Sequence, residues 1–389
     1  MNACMVGWAH TRFGRHENAD IETLIVEVAS AALRDAGLAP ADIDAIYLGT
    51  MNAGFVRQEF PASLVLAADP AFRFKPATRV ENACATGSAA IHQGLNAIAA
   101  RQARRVLVVG AEKMSEASGA AVGDILLRAA YLKEEGTITG GFAGVFARIT
   151  EAYFQRYGDQ SDALARIAAK NHRNGAANPL AQIRKDLGYE FCRTPSEKNP
   201  FVAGPLKRTD CSPVSDGAAA LVLADLDTAL ALDKAVVFRA AEQVNDFLPM
   251  SRRDVVAFEG PELAWRRALA ASGLRLADLS LVETHDCFTT AELIEYEAMG
   301  LTGRGEGARA ILEGWTEING RLPVNPSGGL KAKGHPIGAT GVSMHVLAAM
   351  QVTGTAGDIQ VRDARLAGIF NMGGAAVANY VSILEPLRA

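Results

Sequence analysis

The sequence predicts an α/β protein of five layers, αβαβα, made of two like halves with a loop domain inserted into the first. Three observations carry this. Strand-like and helix-like segments alternate along most of the chain, the pattern of mainly parallel sheets covered by helices on both faces. A stretch near the N-terminus recurs in the second half, so two similar units stack through their helices. The stretch 117–208 has no counterpart and reads as an excursion. At 389 residues, 49% hydrophobic and 21% charged, the chain can bury a large core and hold two or three domains.

The elements follow in order. Residues 4–8 read as a first short strand. Asp20 caps a helix whose Ile21, Leu24, Ile25, Val28 and Ala32 share a face, and Gly37 ends it. Pro40-Ala41-Asp42 turns the chain toward a strand at 45–48. This unit, AALRDAGLAPADIDAIYLGT at 31–50, recurs as RALAASGLRLADLSLVETHD at 267–286. Ala32, Leu33, Gly37, Leu38, Ala41 and Asp42 match Ala268, Leu269, Gly273, Leu274, Ala277 and Asp278 at one fixed offset. Further on, Ala85-Thr86-Gly87 and Ala339-Thr340-Gly341 each open a central helix. Gly217-Ala218-Ala219-Ala220 and Gly374-Ala375-Ala376-Val377 each close a half. The resulting domains are 1–116 with 209–235 for the first half, 117–208 for the insert, and 236–389 for the second half.

The stretch 80–115 is the centre of the first half. It runs extended to Cys84, then into a helix whose Ile91, Leu95 and Ile98 recur at helical spacing, then into the apolar strand Val106-Leu107-Val108-Val109-Gly110. A lone thiol at a helix N-terminus is expected to ionise easily. Gly87, Ser88 and Ala89 keep the first turn small, leaving room for a substrate. The insert is Gly-rich at Gly136, Gly140, Gly141 and Gly144 and reads as a lid. It carries Arg173, Arg184, Lys185, Arg193, Lys198, Lys207 and Arg208, either a solvated surface or a basic rim for a phosphorylated carrier.

Composition narrows the function. The formal net charge is −4, which does not suggest nucleic-acid binding. Five cysteines lie far apart with no CxxC pair, so neither a disulfide framework nor a zinc knuckle is indicated. No apolar run is long enough to span a bilayer, no basic-then-apolar leader precedes Cys4, and the C-terminus is not a peroxisomal signal. A cytoplasmic protein without a membrane segment is expected.

Four stretches can carry chemistry. Cys84 is a candidate nucleophile. His285-Asp286-Cys287-Phe288 follows a strand at 280–284, where α/β folds often place functional groups, and spacing by two puts His285 and Cys287 on one side of an extended backbone. A zinc site would need further ligands, and none is adjacent, so no metal is expected. Residues 325–341 set His335 among many glycines, which implies that the backbone comes close to something. It lacks the Gly-Lys-Ser/Thr of a phosphate loop. Phe370-Asn371-Met372-Gly373-Gly374 reads as a strand breaking at a turn, with a backbone N–H free to hold an oxyanion.

On these residues the chain resembles the thiolase superfamily over nearly its whole length. The Cys-Ala-Thr-Gly-Ser block at 84–88, Ser-Asp-Gly-Ala-Ala-Ala at 215–220 and GHPIGATG at 334–341 carry the resemblance. HDCF at 285–288 points to the sterol-carrier-protein-type thiolases and their bacterial and archaeal acetyltransferase relatives. The resemblance implies the thiolase fold and an acyltransferase acting on 3-ketoacyl-CoA through an acyl-cysteine. It implies Cys84 as acyl carrier, His285 and His335 as N–H donors to the thioester oxygen, and Cys287 as the acid/base at the α-carbon. Backbone N–H groups of Cys84 and Gly373 would form a second oxyanion hole, and Ser212 would meet the pantetheine of CoA. Many thiolases have the acid/base Cys where this chain has Asn371, which makes Cys287 indispensable. Coenzyme A is then a substrate and no cofactor is required. A homodimer or tetramer is implied, with the strand after the Cys84 helix at its interface, and a small OB-fold zinc protein is a possible partner. The alternatives are a ketosynthase-type condensing enzyme, which needs no second Cys, and an acyl-CoA-binding scaffold subunit.

Overall fold

The computed structural model describes residues 3–388, leaving aside the side chain of Ala120. Its strands are β1 (Ala3–His10), β2 (Ala45–Gly49), β3 (Ala77–Val80), β4 (Arg105–Lys113), β5 (Phe201–Ala203), β6 (Leu206–Lys207), β7 (Asp216–Asp225), β8 (Val236–Asn245), β9 (Leu281–Glu283), β10 (Ala367–Gly373) and β11 (Ala378–Pro386). β5 and β6 form a small hairpin. The other strands are hydrogen-bonded in the order β3-β2-β4-β7-β1-β8-β11-β10-β9.

That order contains the duplication. Moving outward from the junction, the first half reads β1, β7, β4, β2, β3, and the second reads β8, β11, β10, β9, then a single parallel bridge from Val282 to Val324. Each step has the same direction in both halves. The halves join along a short contact, Cys4 opposite Val237 and Met5 opposite Val236. The repeated sequence unit folds the same way twice. Helices Ile21–Ala36 and Glu259–Ser272 both stop at a left-handed glycine, Gly37 at φ 66° and Gly273 at φ 69°. In the turns that follow, Asp42 accepts from the Ala39 amide at 2.9 Å and Asp278 from the Arg275 amide at 2.8 Å.

The five layers come from the two-residue alternation of the strands. Val6, Ile46, Leu107, Val109, Ala220 and Val222 face outward against Leu24, Ile25 and Val28 of the first outer helix. Their neighbours Met5, Val106, Val108, Leu221 and Leu223 face inward with Ile91 and Leu95 of the central helix Thr86–Ala99. Helix Ile337–Val352 lies beside it, touches strands of both halves, and is buried on every side. Helix Glu259–Ser272 covers β8 and β11 outside.

Three expectations change. The strands are not mainly parallel: three pairings are parallel and five antiparallel. The cause is that β11 returns from β10 through a tight turn, which can only join antiparallel strands, and β7 also runs antiparallel to β4, after the long excursion between them. The strand after the Cys84 helix, β4, is paired on both edges, so it has no edge to offer a second copy; the sheet ends at β3 on one side and, beyond a single bridge, at β9 on the other. Gly87 does not leave room for a substrate either. A Cβ there would fall 2.7 Å from the Val342 amide nitrogen, so small residues let the two central helices touch.

The excursion starts after β4, whose ladder with β7 ends at Lys113 opposite Asp216. The equivalent ladder ends at Gly373 opposite Ala378, closed by 374–377 alone. The excursion is no loose flap. Its helix Ser161–Ala177 is wedged against helices Thr289–Ala298, Gly307–Leu312 and Gly329–Lys333 of the second half. Lys170, wholly buried, pairs with buried Glu292 and donates to the Val324 carbonyl at 2.7 Å. Asn171 donates to Asp286 and Glu292, Asn174 to the Asn325 carbonyl and Asn178 to the Ser327 carbonyl. These bonds hold the loops that bear the candidate histidines.

Candidate active site

Cys84 sits between β3 and its helix on a forced turn. Ala83, just before it, has φ 48°, a left-handed value that a residue with a Cβ adopts only when its surroundings impose it. Thr86 imposes it by accepting from the Asn82 amide (2.8 Å) and donating to the Ala83 carbonyl (2.6 Å). The expectation of an easily ionised thiol fails. Burial pushes the Cys84 thiol up to about 12, with the charges of Glu112 and Glu81 adding to it. Hydrogen bonding from the Gly374 amide and from its own amide recovers only part. Desolvation outweighs the helix terminus, so the resting thiol is neutral and needs a base.

His335 supplies one. It lies between two helices of the second half, and its amide donates to Ser215 Oγ at 2.9 Å. Its Nδ1 is 2.6 Å from Thr340 Oγ, and that hydroxyl gives its own proton to the Pro336 carbonyl at 2.9 Å. Thr340 therefore accepts from Nδ1–H, and Nε2, which has no partner, keeps a lone pair. Burial, with the nearby Lys333 charge, holds His335 neutral, its pKa lowered to about 3. The loop is fixed to the Cys84 side by buried Glu112, which accepts from the amides of Met51, Asn52 and Gly338 and from the Thr50 hydroxyl. The many glycines are explained by the other half's backbone: a Cβ on Gly338 would lie 2.5 Å from the Ala111 carbonyl oxygen.

His285 and Cys287 follow β9. The rings of His285 and His335 meet edge to face, centroids 5.1 Å apart. His285 is held neutral as well, its pKa lowered by burial first, then by the cost of placing a second cation beside the His335 ring, and by the Lys333 charge. Its Nδ1 is 2.9 Å from Asn371 Nδ2, and its Nε2 has no partner. Cys84 Sγ and one ring nitrogen from each histidine lie within 4.8 Å of one another. Cys287 is buried beside them. Burial raises its pKa well above the usual thiol value, and the Cys84 charge raises it further, so the two sulfurs resist ionising together. Asp286 between them accepts from the Leu330 and Lys331 amides and from Asn171, which ties the HDCF turn to the next loop.

The structure brings Cys84, His285, Cys287 and His335 together from three distant stretches. Ser212 stands beside them, its amide donating to the Cys287 carbonyl at 2.9 Å. Gly373 ends the β10 ladder opposite Ala378 and lies against the Cys84 turn, where a Cβ on it would fall 2.4 Å from the Asn82 carbonyl oxygen. The roles of Ser215, Thr340 and Glu112 were not anticipated, although Ser215 and Thr340 lay inside motifs singled out in the sequence and Glu112 inside the stretch 80–115. Of the basic residues in the insert, Arg173, Arg193 and Lys207 are spent on Glu317, Asp162 and Asp210, whereas Arg184, Lys185, Lys198 and Arg208 are exposed without ion pairs. Cys84, His285 and His335 are also the one trio of the described residues spaced to hold a metal ion. The three donors are of the kind zinc takes, but the Asn371 amide donates to His285 Nδ1, which leaves the proton of that ring on Nε2 in place of a lone pair.

Comparison with known proteins agrees with this geometry. The thiolase N-terminal domain family matches residues 3–187, and the thiolase C-terminal domain-like family matches 241–386. An acetyl-CoA acetyltransferase of Methanothermobacter thermautotrophicus is 35% identical over 96% of both chains. Human sterol carrier protein 2 is 32% identical over 95% of this chain and 69% of its own. Among solved structures, an Ltp2–ChsH2(DUF35) aldolase superposes with TM-score 0.85 at 25% identity, covering 100% of this chain and 98% of the other. Human mitochondrial 3-ketoacyl-CoA thiolase in complex with CoA does so with TM-score 0.74 at 18% identity, covering 99% and 98%, and speaks for the fold. Two family matches, one in each half, and relatives above 30% identity along nearly the whole length show that the chain belongs to the thiolase family.

Proposed function

We propose that the protein is an acyl-CoA C-acyltransferase that makes or cleaves 3-ketoacyl-CoA through an acyl group on Cys84. One observation carries this: a neutral thiol and two neutral imidazoles converge within 4.8 Å, with a second buried thiol beside them. In cleavage, Cys84 gives its proton to His335 Nε2 as the sulfur attacks the 3-keto carbon. The amides of Cys84 and Gly373 hold the oxyanion that forms. Collapse breaks the carbon–carbon bond and leaves an enolate, whose oxygen takes N–H bonds from His285 and from the now protonated His335. Cys287 protonates the α-carbon and acetyl-CoA leaves. A second CoA thiol gives its proton to Cys287 and attacks the acyl-Cys84 carbonyl. The Cys84 sulfur departs and recovers its proton from His335, so every group returns to its starting state. The reverse order is condensation.

CoA is a substrate here, with Ser212 at its pantetheine and the unpaired Arg184, Lys185, Lys198 and Arg208 near its phosphates. No other cofactor or metal enters these steps. We further propose a cytoplasmic enzyme of lipid metabolism; no helix among the described residues is long and apolar enough to cross a membrane. A homodimer is supported by the free edge of β3, flanked by Phe60 and Phe74, which are 80% and 87% exposed. Purified protein incubated with acetoacetyl-CoA and CoA should release acetyl-CoA and carry an acetyl group on Cys84. Folded protein that does neither defeats the reading.

A second reading is favoured by the aldolase superposition, in which a DUF35 chain is a named partner. It supports a complex in which this chain breaks a carbon–carbon bond only when a small OB-fold zinc protein is docked. Silence of the chain alone and activity on adding such a partner would select it.

A further inference from the structure

Asn371 occupies the place where many thiolases are expected to carry an acid/base thiol, and its surroundings are built for another task. It is wholly buried on β10. Its Oδ1 accepts from Ser88 Oγ at 2.8 Å. Its Nδ2 is 3.2 Å from the Cys84 carbonyl oxygen and 2.9 Å from His285 Nδ1. The amide cannot be turned round. A carbonyl oxygen only accepts, so the atom facing Cys84 must be the NH2 group. The slot is also closed on the other side, since a Cβ on Gly341 would lie 2.5 Å from Asn371 Oδ1.

The second hydrogen of that NH2 group meets His285 Nδ1. A neutral imidazole that accepts at Nδ1 carries its proton on Nε2. His285 Nε2 is buried and has no protein partner. We propose that Asn371 is a positioning residue: it holds His285 as the Nε2–H tautomer, with that N–H left free for the enolate oxygen, and it ties the same amide to the Cys84 turn. The role rests on the acyltransferase reading, in which His285 touches the substrate oxygen. An alcohol, thiol or carboxylate at this position would not do the same. A carboxylate can only accept, so it would draw the proton to Nδ1 and turn a lone pair toward the substrate. The link also explains how strain at Ala83 and the histidine are kept in register, because one side chain bonds to both segments.

The test compares wild type with Asn371→Asp and Asn371→Ala. Ring-nitrogen NMR of histidine-labelled protein reads the tautomer without any substrate. Wild type should show His285 as Nε2–H, and N371D should shift it to Nδ1–H at neutral pH. Exchange of the α-protons of acetyl-CoA should fall roughly a hundredfold in N371D, with KM changed less than about threefold. Activity of N371D should partly return as pH falls, when the imidazole gains a second proton and Nε2–H is restored. N371A should lose less and gain no such pH dependence. A wild-type His285 found as Nδ1–H, or a tautomer indifferent to N371D, overturns the proposal. So does a shifted tautomer with undiminished exchange. Should N371D not fold, the wild-type spectrum and N371A still decide. Wild type that holds the expected tautomer and yet transfers no acyl group would sink the acyltransferase reading alone.

Discussion

Cys84 and Cys287 divide the chemistry, and substitution should separate them. Cys84→Ala is expected to abolish acyl-enzyme formation, whereas Cys287→Ala keeps it and loses α-proton exchange; a mass spectrum with the acyl label on Cys287 reverses the assignment. His335→Ala should lower turnover about a hundredfold or more, through the lost base and the lost donor together. The raised thiol pKa has a signature of its own. Burial favours the neutral form, so the thiolate fraction of Cys84 keeps rising about tenfold per pH unit below about 12. Iodoacetamide labelling of the Cys84 peptide should therefore climb from neutral pH past 10 with no plateau near 8.5. An early plateau would show that the helix terminus outweighs burial. The four reactive side chains were legible because each stands in a short motif. Asn371 and Thr340 were not, since their roles arise from contacts with residues that the sequence alone does not place. The Cys84 pKa was misjudged because local position at a helix start is visible in a sequence and burial is not.

At the level of elements, the insert works as a brace. Helix Ser161–Ala177 presses Lys170, Asn171 and Asn174, with Asn178 just past its end, against the loops carrying His285 and His335. Lys170→Met should destabilise the protein by about 3–5 kcal/mol, because Glu292 is left buried without its cation. Adding Glu292→Gln should recover part of that loss in urea unfolding, since the stranded charge and not the lost volume is the cause. Equal damage in single and double variants would contradict this. The sequence showed where the insert begins to differ from the second half, and its Gly-rich stretch read as a lid. Its anchoring was hidden because Lys170 and Asn171 look like solvated polar residues until Glu292 and Asp286 are brought opposite them. Strand direction was misread for a related reason: alternation of strands and helices suggests parallel crossovers, and the short turn at 374–377 breaks that rule.

The whole molecule was the most legible level. The repeated Gly, Asp and apolar positions of 31–50 and 267–286 correspond to the same helix, cap and strand in both halves. Assembly can be tested at the exposed edge. Phe74→Asp, at a residue 87% exposed beside β3, should convert a dimer to monomers in gel filtration while leaving the monomer folded. A variant that elutes unchanged would move the interface elsewhere. The duplication also constrains how such a chain can be elaborated. Two equivalent junctions exist, one after β4 and one after β10, and a long segment could be spliced into either without severing a strand. Only the first is free to grow. At the second, the turn itself packs its backbone against the segment that bears the nucleophile, Gly373 meeting Asn82 and Ala85, and lengthening it would carry that backbone away. Asymmetry between the copies is thus a geometric requirement of the reaction rather than an accident of descent.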